Sequence, residues 1–272
     1  MTWNRAAIRY LKLLQMLFTP LLIWSCEEKI EVNLNNAYPK VVIEGFITNS
    51  KNPMVVKLSK SQAFFNQSNF TPVLKAAVQL ESSSLKEKLS EKGGGYYISS
   101  RTEGVAGRTY TLRVVTGGET FAATAVLPDV VRIDTVYFIP GIFRSDSLNA
   151  VVEFRDPLNK ENYYRIKVYY NGRYAVNDYF LLTDAFSDGE KIVTPLYSHN
   201  FAPGDTVTVE LLNLERNSWR YFKGLSESIQ HGVNSQAPGN PPTNFSGGAL
   251  GLFGAWGSSS WGGIIPKIKG GK

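Results

Sequence analysis

From Val41 to Leu212 the chain repeats one pattern, in which short runs of β-branched and aromatic residues are broken about every dozen residues by Gly, Pro, Asn or Asp. Side chains on a strand alternate between faces, so runs of this kind bury one face, and frequent turns favour a sandwich over a helical bundle. Val41–Thr48 and Met54–Ser59 form a hairpin about Asn49–Pro53. Further strands read at Ala76–Leu80, Tyr96–Ser99, Tyr110–Val115 and Phe121–Val126, the last two joined by Gly117-Gly118. After Val131–Phe138 and Leu148–Phe154, the strands Tyr163–Tyr170 and Arg173–Tyr179 flank Asn171-Gly172, a dipeptide that readily supplies the two positive φ angles of a tight hairpin turn. Thr206–Leu212 closes the series. The expectation is a mainly β fold of two tandem β-sandwich-like domains, 38–128 and 129–272, divided at Leu127-Pro128-Asp129.

One helix is expected, over 214–230, with Asn213 as its cap. Leu214, Ser218, Tyr221, Phe222, Leu225 and Ile229 recur on one side at spacings of three or four, and His231-Gly232 ends the run. In a β protein such a helix covers an open sheet edge or a barrel end. The tail from Asn234 to Lys272 is rich in Gly, Pro, Ser and Asn, with Pro238–Pro242 an extended loop and Leu250–Trp256 a final strand of the second domain. Phe253, Trp256 and Trp261 are the candidate contacts for a protein partner, because exposed aromatics form the apolar patch that marks an interface.

The chain has a single cysteine, which excludes an intramolecular disulfide and any multi-cysteine zinc site. Its position is informative. Arg5, Arg9 and Lys12 precede an apolar run from Leu13 to Trp24 and then Ser25, the layout of an export signal occupying 1–25. That run is too short to span a bilayer. Leu22-Ile23-Trp24-Ser25-Cys26 resembles a lipobox, so Cys26 is expected to carry diacylglyceryl and to anchor the protein to a membrane, with 26–37 an acidic tether behind it. Three of the cations behind the formal net charge of +6 belong to this leader, and the rest are interleaved with acids. Nucleic acid is therefore not an expected partner.

Catalysis needs side chains converging within hydrogen-bond or coordination reach, and the chain offers few candidates. There are only two histidines, His199 and His231, both read as structural. No His-Glu-x-x-His, Gly-x-Ser-x-Gly or Walker loop occurs. Asp156 and Asp205 adjoin turns and are read as turn caps, and Asp184 with Asp188 and Glu190 is read as a solvated loop more readily than as a calcium site. No catalytic residue, cofactor or metal is expected. Asp134-Thr135-Val136, Asp146-Ser147-Leu148 and Asp205-Thr206-Val207 fit a short O-glycosylation pattern, with Ser147 the best candidate because it falls in a polar connection.

Four segments in order carry a family resemblance: Val41–Thr48 behind the lipobox; Phe154-Arg155-Asp156-Pro157 with Asn162-Tyr163-Tyr164-Arg165-Ile166; Gly204-Asp205-Thr206-Val207; and Pro241–Asn244 followed by Gly247–Phe253. Together they resemble the Bacteroidota lipoprotein family built on domain of unknown function 4249, encoded beside TonB-dependent receptors. Val78–Val126 is similar to the transthyretin-like or carboxypeptidase-regulatory β-sandwich. The chain departs from the family pattern at Asn177-Asp178-Tyr179-Phe180 and at Asn244-Phe245. The resemblance implies a lipid-anchored, surface-exposed outer-membrane protein, a non-enzymatic accessory subunit of an outer-membrane β-barrel that takes a peptide or glycan ligand. The alternatives are a structural or adhesion subunit of an outer-membrane assembly and, third, an envelope glycan-active enzyme.

Overall fold

A computed structural model describes residues 39–62, 70–100, 103–142, 147–175, 179–231 and 240–267. The leader, Cys26 and the tether lie outside these residues. The strands in chain order are β1 (Val41–Thr48), β2 (Val55–Lys60), β3 (Thr71–Pro72), β4 (Ala77–Ser82), β5 (Leu85–Lys88), β6 (Ser90–Glu91), β7 (Tyr96–Ile98), β8 (Thr109–Thr116) and β9 (Glu119–Val126). Then come β10 (Ile133–Pro140), β11 (Leu148–Arg155), β12 (Tyr163–Tyr170), β13 (Arg173–Tyr174), β14 (Phe180–Thr183), β15 (Lys191–Phe201) and β16 (Thr206–Leu214). Helix α1 (Arg216–His231) and β17 (Leu250–Ile264) complete the chain. The fold is mainly β, as the alternation demands.

The turn chemistry holds where it was strongest. Asn171 and Gly172 adopt φ 48° and 74°, and Gly117 and Gly118 adopt 60° and 82°, which fits tight hairpins between β12 and β13 and between β8 and β9. Of the strand expected over Arg173–Tyr179 only Arg173–Tyr174 pairs with β12, as β13, and the next strand on β12 is β14, which begins beyond it at Phe180.

Ten strands share one sheet in the order β13-β12-β16-β17-β1-β2-β7-β6, with β14 also on β12 and β3 on β2. A four-stranded sheet, β5-β4-β8-β9, covers one end of it, and a three-stranded sheet, β10-β11-β15, covers the other. Ile43, Ile47, Val56 and Leu58 face Val78, Leu80, Leu112 and Val114 across the first core. In the second, Tyr164, Ile166, Val209 and Leu211 face Ala150, Val152, Phe154 and Leu196. The odd-numbered residues of β17 serve both, Phe253 and Ala255 in the first core and Trp261 against the second. On the opposite face, Tyr163, Leu212, Leu214, Leu252 and Trp256 pack under Tyr221 and Phe222 of α1. Each fully buried apolar side chain of this size contributes roughly 1.5–3 kcal/mol, so three such clusters carry the fold.

This arrangement corrects the tandem-domain expectation. The two sandwiches exist as lobes, but Pro39 onward is one compact unit. The reason is β17, which pairs in parallel with β1 and antiparallel with β16, so both lobes are completed by the same strand. The supposed linker is strapped down as well: Ser259 Oγ donates to Val131 O at 2.7 Å, and Asn213 Nδ2 to Asp129 O at 3.0 Å. Asn213 thus belongs to β16 rather than capping the helix. The first helical hydrogen bond, from Trp219 N, is accepted by Glu215 O at 3.1 Å.

Candidate ligand site at the seam between the lobes

The end of β9, the Leu127–Asp129 connection, the loop between β11 and β12, and the end of β16 converge on a cavity of about 350 Å³. Leu127, Asp129, Lys160, Glu161, Asn162 and Asn213 are among its lining residues. This volume lies at the small end of ligand pockets. Asn213 is 2% exposed; its amide nitrogen serves Asp129 O and Asn162 Oδ1, whereas its Oδ1 has no protein partner. A buried carbonyl oxygen without a donor costs about 1–3 kcal/mol, which marks this part of the seam as incompletely satisfied by the chain itself. Lys160 Nζ and Asp129 Oδ2 form a solvent-exposed ion pair at 2.5 Å on the cavity wall.

Two acidic groups near the seam are shifted in opposite directions. Glu161 accepts hydrogen bonds from the Tyr163 hydroxyl and from Arg216, which hold its carboxyl below the usual range. Glu215, at the start of α1, is pushed up to about 7 by burial, although Val126 N donates to its Oε2 at 3.2 Å.

Behind the cavity, Asp156, Asp184 and Asp188 bring carboxylate oxygens within 4.8 Å of one another, the one group among the described residues that could hold a metal ion. Each is already engaged. Asp156 accepts from the Tyr164 hydroxyl and from Gly189 N at 2.9 Å, Asp184 from Asn162 N at 2.7 Å, and Asp188 from Asn159 N at 2.8 Å. Burial, with the neighbouring Asp156 charge, raises the Asp184 pKa. The trio therefore latches the 156–162 loop to the 184–190 loop and shapes the cavity from behind. Asp156 is a buried tie between loops, where the sequence suggested a turn cap.

The candidate partner contacts fare differently from expectation. Phe253 is 0% exposed in the first core, and Trp256 is 9% exposed beneath α1, its ring 4.8 Å from that of Phe46. Trp261 is half-buried, 6.3 Å from the Phe138 ring. Along Leu252–Trp256 one face of β17 is covered by the first core and the other by α1, so these aromatics build cores, and Phe253 and Trp256 are closed to a partner. Ser147 is 5% exposed at the entrance to β11, so its own side chain is closed to a glycosylating enzyme in this fold. Cys26 lies outside the described residues. The sequence reads Asn213 only as a helix cap and gives Glu215 no role, because local pattern carries no sign of the distant contacts that bury them.

The sequence profile of the domain-of-unknown-function family DUF4249 matches residues 27–261. The chain belongs to the DUF4249 family. No curated protein matches it. Among solved structures, the FN1–FN3 domains of chicken CNTN1 match at 14% identity and a TM-score of 0.19, over 64% of this chain and 59% of that one. The DUF4249 region thus begins directly after Cys26 and ends within β17.

Proposed function

We propose that this DUF4249 chain is a Bacteroidota outer-membrane lipoprotein, anchored through Cys26 and exposed at the cell surface. In that place it serves as a non-enzymatic accessory subunit of an outer-membrane β-barrel, such as a TonB-dependent receptor. The observation that carries the location is Cys26 at the end of a cationic and then apolar leader, with the family region starting at the next residue. One acyl chain holds a protein only marginally, whereas the two or three on a processed lipoprotein cysteine hold it stably. Among the described residues no helix is long and apolar enough to cross a membrane. The binding role is supported by the seam cavity, whose unpartnered Asn213 oxygen suits a ligand rich in hydroxyls or amides.

The test is intact mass and protease accessibility of the envelope form, wild type against Cys26→Ala, followed by recovery in mild detergent. An acylated wild type, cleaved by protease added to whole cells and recovered with a barrel protein, is the expected result. An unacylated Cys26, or acylated protein recovered with no barrel, overturns it.

A further inference from the structure

Arg165 is the feature of the structure least explained by packing. It lies on the face of β12 that looks toward α1, between the apolar cross-strand neighbours Leu181 and Leu212, and is only 7% exposed. Its guanidinium carbon sits 4.6 Å from the centroid of the Tyr179 ring and 4.2 Å from that of Phe222. Nη2 donates to the Tyr174 hydroxyl at 2.8 Å, and Nε is buried with no acceptor. Among the described residues no carboxylate pairs with it. Glu210 on the adjacent strand is engaged by Lys167 at 3.1 Å, and burial raises the pKa of the Tyr179 hydroxyl, so that phenol is neutral and no counter-ion. Aromatic faces offset part of the desolvation of a cation, yet a buried guanidinium without an anion keeps an uncompensated desolvation penalty.

A second orphan donor lies on the same face. The buried Trp219 Nε1 of α1 has no acceptor, and the Trp219 ring packs 5.2 Å from that of Tyr163, two residues before Arg165 on β12. Tyr163 and Arg165, spaced by two on β12, stand about 7 Å apart on one face, so the indole stacked on Tyr163 and the guanidinium share that face. Tyr174, Tyr179 and Trp219 each keep part of their surface open to solvent, so the aromatic walls can be reached.

We propose that Arg165 anchors a binding site for a carboxylate carried on a ring-bearing body, with Trp219 Nε1 donating to a second oxygen of the same ligand. A guanidinium presents a planar fork matched to a carboxylate, and aromatic rings take a sugar or aromatic body against their faces. Uronic acids and the carboxylates of peptides share this chemistry. The site shares no residue with the lining of the seam cavity, so it goes beyond the binding role proposed above, and its test is independent of where Cys26 anchors the chain.

The full-length chain in mild detergent is titrated calorimetrically with glucuronate and with N-acetyltyrosine, against glucose and N-acetyltyrosine amide as neutral counterparts. The expected result is saturable binding of at least one acid, with its neutral counterpart and the Arg165→Met protein each weaker by about tenfold or more. Which acid binds separates an acidic sugar from a peptide carboxylate. Without ligand, Arg165→Met melts at or above wild type, because an uncompensated buried charge is gone; Asp178→Asn, a change at a residue outside those described, leaves binding intact. Binding of neither acid, equal binding of acid and neutral counterpart, loss of binding in Asp178→Asn, or an Arg165→Met protein that melts well below wild type each overturns the proposal.

Discussion

Glu215 shows how one side chain couples the lobes to pH. Its carboxyl reaches from the start of α1 to the backbone N–H of Val126 at the end of β9, and burial lifts its pKa from 4.5 to about 7. The folded state therefore holds the proton more tightly than the unfolded one. Its stabilising effect is fully present below pH 4.5 and is lost as pH rises through about 7. Urea titrations of wild type across that window are expected to lose up to about 3 kcal/mol from this group, and Glu215→Gln to flatten the dependence. An unchanged slope in the variant refutes the assignment. None of this was legible at the residue level, because the burial of Glu215 and the lone carbonyl of Asn213 come from contacts with residues more than 80 positions away. Asp156 was visible as a turn neighbour, but its role required the 184–190 loop to fold back onto it.

Among elements, β17 decides most. Gly251 sits at φ 98°, and a Cβ there would stand 2.1 Å from Ile43 O on the parallel strand β1. Gly251→Ala is thus expected to cost about 3 kcal/mol or more, read as a lower urea midpoint. Gly172→Ala, at φ 74° in open space, is expected to cost only about 1 kcal/mol. Equal midpoints for the two variants would contradict the close approach. Hairpins and the helix were readable because their partners lie within a few residues, so period and turn chemistry suffice. The edge strands were not: β5 reads Leu-Lys-Glu-Lys, and β15 carries Pro195 within its pairing to β11. Edges tolerate charge and proline that central strands reject, and this hides them from a search for alternating apolar runs.

For the whole molecule, a shared ten-stranded sheet makes the two lobes one cooperative unit. Calorimetry of the full chain is expected to show a single transition with equal calorimetric and van't Hoff enthalpies, where independent tandem domains would give two. Two resolved transitions would restore the tandem reading. The same topology explains why Phe253 and Trp256 face inward: the strand that closes both sandwiches spends them on cores.

The sequence by itself determined the strand class, the tight turns and the helix found among the described residues, all of which depend on residues close together along the chain. Only the tertiary structure decided that the last strand runs between the halves, where Ser258 N meets Asn49 Oδ1 across 209 residues. The physical reason is that a period of two specifies which face of a strand is buried and says nothing about which strand lies beside it. From that one pairing follow the merging of two expected domains, the burial of Phe253 and Trp256, and the closure of the seam where the buried Asn213 Oδ1 is left without a donor.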